Sequence, residues 1–125
     1  MQQQIINLEK FRGNRSSIFT GRPQGIAARK ELNIDSIDKN KDLEIVFEIP
    51  EGTTSFNPSF FLGLLYPSLK SLGLEGYTRK YKFQIMTKDL ETKQVLEDNI
   101  NDGLRNAVNE IEKNSGLWSF INKKN

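Results

Sequence analysis

The side chains in this sequence that could carry chemistry are few, and what is missing narrows the field. Neither histidine nor cysteine occurs anywhere in the chain. That removes the most common general acid/base, disulfides, thiol nucleophiles and most zinc-site geometries. Carboxylates remain. Asp98 and Asp102 are spaced to share one face of a helix, with Glu110 and Glu112 further along. No EF-hand loop and no Glu-x-x-His element accompanies them. They read as a solvated helical surface, so the expectation is no metal, no cofactor and no catalytic residue. A carboxylate-dependent enzyme stands behind the two binding readings developed below.

Cations form the second group. Arg12, Arg15, Arg22 and Arg29 fall in or beside "RGNRSSIFTGRPQG", a segment rich in glycine and serine. Residues 1–30 carry Lys10 and Lys30 as well, against Glu9 alone. Residues 31–57 reverse the balance, with Lys39 and Lys41 the only cations among many carboxylates. The net charge is only +2, so the asymmetry, not the total, is what bears on partners. "GRPQG" allows a close backbone approach to an anion, but the P-loop and G-x-G-x-x-G patterns are absent. A solvated loop, a protein-docking surface and a phosphate or nucleic-acid contact all remain open. Tyr77, Tyr81 and Phe83 interleave with Arg79, Lys80 and Lys82. That pattern suits either a strand with one buried face or a stacking platform for single-stranded nucleic acid. Trp118 and Phe120 are either a lid on the core or an apolar anchor.

The third group is one serine in context. In "LEIVFEIPEGTTSFNPSFFLGLL", β-formers give way to Asn57-Pro58-Ser59 and then to an apolar run. A helix is expected from at or near Ser59. Its hydroxyl would then cap an orphan N–H or, if phosphorylated, sit at the positive end of the helix dipole beside Phe60.

The elements that must hold these residues follow from periodicity. "QIINLEKF" reads as a first strand, and Pro23 opens a short helix with Ile26, Ala27 and Leu32 on its apolar face. "IDSIDKNKD" reads as a polar connection. Leu43–Ile49 alternates cleanly and is expected to be an interior strand. Phe60, Phe61, Leu64, Leu65, Leu69 and Leu72 follow a helical spacing, with Pro67 predicting a kink. "KYKFQIMT" is a third strand. Val95, Leu96, Ile100, Leu104, Val108 and Ile111 mark a final amphipathic helix, weakened at Asp102-Gly103. The order β–α–β–α–β–α points to one α/β domain over residues 1–125, with 114–125 as a tail, and a mixed sheet containing parallel strands. No apolar run reaches the length of a membrane span and nothing marks the N-terminus for export, so a cytoplasmic protein is expected.

Strand, turn and Pro58-Ser59-Phe60-Phe61-Leu62-Gly63 resemble the centre of the STAS fold of bacterial anti-sigma factor antagonists. In that family a serine at the same helix start is phosphorylated by a partner kinase. Ser59, Leu62 and Gly63 match its pattern; Pro58 replaces the acidic residue, and Phe60 and Phe61 replace small ones. "GRPQGIAARKEL" and the strand–turn–helix after it are similar to STAS-like domains of unknown function from bacteria and phages. The resemblance runs from about Ile5 to Ile111. It implies a non-enzymatic regulatory module that binds a protein, a GHKL-type ATPase or kinase in that family. The expected docking residues are Arg12, Arg15, Arg22, Arg29 and Phe60, with Ser59 as cap or phosphosite. The alternative is a small nucleic-acid-binding protein using the arginine-rich loop.

Overall fold

A computed structural model of the chain describes residues 1–13 and 16–114. Arg15, Trp118 and Phe120 lie outside the described residues, as does all but the first residue of the expected tail. The elements in chain order are strand β1 (Gln2–Asn7), a 3-10 turn (Glu9–Phe11), β2 (Ile18–Phe19), helix α1 (Arg22–Leu32), α2 (Ile34–Lys39), β3 (Leu43–Ile49), β4 (Ser55–Phe56), α3 (Pro58–Lys80), β5 (Tyr81–Ile85) and α4 (Leu90–Lys113).

The protein is α/β, with helices packed on a small sheet. The main sheet has the order β1-β3-β5, and β2 pairs separately with β4. All of these pairings are parallel, where a mixed sheet had been expected. Parallel neighbours need crossovers; here α1 and α2 link β1 to β3, and α3 links β3 to β5. Leu43–Ile49 takes the central place. Ile45, Phe47 and Ile49 are buried on the helix side, as their alternation predicts. Tyr81 faces the same side opposite Ile45, and Phe83 stands opposite Phe47.

The helices depart from the reading in instructive ways. On α1 the buried residues are Gly25, Ala28 and Arg29, while Ile26 is exposed. The reason is a close crossing with α3. A Cβ on Gly25 would lie 2.2 Å from the Phe60 carbonyl oxygen, and one on Gly63 would lie 2.2 Å from that of Arg22. Backbone touches backbone there, so small residues, not large apolar ones, mark the buried face. "IDSIDK" is the helix α2, entered through Asn33 in the left-handed region at φ 55°. Helix α3 begins at Pro58, close to the expected start, and buries Phe60, Phe61, Leu64, Leu65 and Leu69. It continues through Pro67; the break comes at Gly73, where φ is 75° and ψ 167°. Gly103 on α4, expected to be a weak point, is a contact: a Cβ there would meet the Phe61 Cβ at 2.6 Å. The buried hydrophobic residues among those described make one contiguous core.

Candidate functional site

Two regions gather the polar side chains that sequence reasoning singled out. The first is the start of α3, behind the carboxyl end of β3, where open parallel sheets place their ligands. Asn57 caps this helix: its Oδ1 accepts from the Ser59 N–H at 2.8 Å, and its backbone carbonyl accepts from Phe60 and Phe61 at 2.8 and 3.3 Å. Pro58 has no N–H to satisfy. Ser59, a partly buried residue, is therefore not the cap, and its hydroxyl is not needed to start the helix. The residue missed was Asn57, and an Asn before Pro was the available signal.

Phe60, expected to dock a partner, is wholly buried. Its ring stands 5.1 Å from that of Phe19 and 5.2 Å from that of Phe56. Phe19 and Phe56 are paired across the β2–β4 ladder. This short ladder, which no periodicity announced, exists to bring two rings onto Phe60. Asn99 of α4 closes the region by accepting the Phe56 N–H at 2.9 Å.

The arginines part company. Arg12 reaches the turn after β3, donating to Thr53 Oγ1 at 2.9 Å and to the Glu51 carbonyl at 3.2 Å. Arg22 lies 5.5 Å over the Tyr66 ring and 3.7 Å from Glu110. Gly63, against which the Arg22 backbone packs, is one helical turn after Ser59. The Arg22 guanidinium, over Tyr66, lies further along α3 than Ser59 does. Arg29 turns inward and is 8 % exposed.

Arg29 is the centre of the second region, a polar network among α1, α2, α3 and β5. Its guanidinium donates to Asp35 Oδ1 at 2.7 and 3.1 Å, Asp38 Oδ2 at 3.0 Å, Ser68 Oγ at 2.8 Å and the Leu64 carbonyl at 2.9 Å. Ser68 in turn donates to Asp38 Oδ2 at 2.7 Å, and the Tyr81 hydroxyl donates to Asp38 Oδ1. Burial, reinforced by Asp38, pushes the Tyr81 phenol well above its ordinary range. Burial alone pushes up Tyr77. Lys80 donates to the carbonyls of Asn40 and Leu43; burial lowers its pKa, and Asp38 partly offsets this. The network touches Leu64 and Ser68, on either side of Pro67. Each polar group is matched by another, so the arrangement fastens four elements together. Ser68, whose hydroxyl stands beside the Asp38 carboxylate, is wholly buried. The interleaved Tyr81 and Phe83 sit with it on the helix side of β5, not on a platform.

The carboxylates considered for metal are dispersed. Asp98 accepts from Gln94, Asp102 pairs with Arg105, and Glu110 pairs with Arg22. Among the described residues no group of three or more carboxylates could hold a metal ion. No helix among them is long and apolar enough to cross a membrane. No protein-family model, curated protein or solved structure matches the chain.

Proposed function

We propose that the protein is a non-enzymatic regulatory module of STAS-like type that binds another protein through the surface around the start of α3. The observation that carries this reading is Ser59, a partly buried residue at the positive end of a long helix, released from capping duty by Asn57. Arg12 lies at the β3–β4 turn that leads into it, and Arg22 lies over Tyr66, about two helical turns further along α3. Arg29 and Phe60 drop out of the docking set because they are buried. The partner class that the resemblance points to is a GHKL-type ATPase or kinase. A phosphate on Ser59 would add nearly two negative charges beside the docking surface, and that would switch the affinity.

The experiment is affinity capture from the native host, with and without nuclease treatment, using wild-type protein and the Arg12→Glu/Arg22→Glu double variant as baits. The reading expects one protein that survives nuclease and is recovered less well by the double variant, because rim charges steer association. Recovery of nucleic acid alone, released by moderate salt, would instead establish the arginine-loop alternative.

A further inference from the structure

Among the described residues, nothing guards the β1 edge of the main sheet. Edge strands are ordinarily blunted by charge, proline, a bulge or a covering helix. The β5 edge follows that rule: α4 runs beside it, and Lys93 and Glu97 line the cleft against Phe83, Gln84 and Ile85. The β1 strand, "QQQIIN", has no charge and no proline, and all of it but Ile6 is exposed.

Its hydrogen-bonding sense is defined. The N–H groups of Gln2 and Leu8 point to β3, bonding Asp42 and Glu48 carbonyls at 2.8 and 3.0 Å. Backbone direction alternates along a strand, so the N–H and C=O of Gln3, Ile5 and Asn7 face outward. Side chains alternate too: Gln2, Gln4 and Ile6 lie on the helix side, and Gln3, Ile5 and Asn7 lie on the bare face opposite Glu44, Val46 and Glu48.

We infer that β1 pairs antiparallel with the β1 of a second copy, about a two-fold axis at Ile5, to make one continuous six-stranded sheet. The register follows from what the strand offers. With Ile5 opposite its own copy, the outward-facing residues Ile5, Gln3 and Asn7 all fall at hydrogen-bonded positions, and Gln3 meets the partner's Asn7. Both helix layers then lie on the same side. On the bare face, Val46 and Ile5 of one copy and the same two of the other line up as an apolar row. Above and below that row, amide meets amide. On that face the nearest side-chain charges are one strand further in, and each already has an amide partner in β1: Gln3 Nε2 donates to Glu44 at 2.8 Å and Asn7 Nδ2 to Glu48 at 3.3 Å. An uncharged edge whose carboxylates are already engaged offers nothing specific to a charged peptide. It matches itself. Slipping the register by two residues sets Ile5 against Gln3 and breaks the apolar row.

Because the chain has no cysteine, single cysteines report the register directly. Under mild oxidation Ile5→Cys is expected to form a covalent dimer, since hydrogen-bonded antiparallel partners stand within disulfide reach. Gln3→Cys alone should not, while an equimolar mixture of Gln3→Cys and Asn7→Cys should. By sedimentation, the wild type should approach twice 14.4 kDa as concentration rises. Ile5→Lys and Ile5→Glu should each stay monomeric, because like charges directly opposite repel, and mixing the two should restore the dimer. Ile5 is 56 % exposed, so the variants should keep wild-type circular dichroism. A wild type that stays at 14.4 kDa throughout, an Ile5→Lys variant that still dimerises, or cross-linking by Gln3→Cys equal to that by Ile5→Cys would overturn the proposal.

Discussion

Arg29 joins two carboxylates, a hydroxyl and a helix carbonyl across three helices. In the sequence it was one of four arginines near a glycine-rich loop, and nothing in its neighbours distinguished it from Arg22. Burial of a charge is decided by partners distant in sequence, here Asp38 and Ser68, and no local pattern encodes that. Truncating it to Ala should cost about 3–5 kcal/mol in denaturant unfolding, because Asp38 would be left buried without its cation. Tyr81, on the same carboxylate, provides a pH test. Its folded-state pKa is raised, so the stability it contributes is present below the ordinary value of 10.0 and is lost as pH rises above it. Tyr77 acts in the same direction. Lys80, lowered from 10.5, acts oppositely and in the window below that value. Unfolding free energy should therefore fall once pH passes 10.0, and Tyr81→Phe should flatten that fall. A wild-type stability that is level across this range would contradict the geometry around Asp38.

Elements were legible where apolar spacing carried the signal. Strands β3 and β5 and the apolar faces of α3 and α4 follow their periodicity, with Leu65 wholly buried as expected, except that Val95, expected on the apolar face of α4, is exposed. Leu65→Ala should cost about 2–5 kcal/mol. The buried face of α1 was not legible, because close helix crossing selects the absence of a side chain. Gly25→Ala or Gly63→Ala should destabilise by about 3 kcal/mol or more, since the added methyl meets backbone that cannot turn aside. Either variant melting with the wild type would mean that the α1–α3 crossing is wider than described. The helix start was found to within a residue, but its cap was assigned to the wrong side chain. Asn57→Ala should lower stability by about 0.5–2 kcal/mol, and Ser59→Ala should leave it nearly unchanged. The reverse order would return the cap to Ser59.

At the scale of the molecule, alternating strands and helices announced an α/β architecture, and the structure arranges them as parallel ladders with the helix layer on one side. Among the described residues nothing covers the other face or the β1 edge, a consequence of pairing and register that one-dimensional periodicity does not reveal. The charge asymmetry between the first thirty residues and the next segment dissolves on folding. Arg29 pairs with Asp35 and Asp38, and Lys10 with Glu31, so a contrast along the chain became contacts in space. Ser59 stands apart from this internal pairing, at the end of α3 where a docking module would be read by its partner. Its binding can be separated from its folding, because Asn57 carries the cap. The deciding measurement is a calorimetric titration of the captured partner into wild-type, Ser59→Ala and Ser59→Glu proteins of matched melting temperature. Wild type and Ser59→Ala should bind alike, and Ser59→Glu should bind about tenfold more weakly or worse, a difference of about 1.4 kcal/mol. Equal affinity for all three would remove the start of α3 from the interface and with it the proposed function.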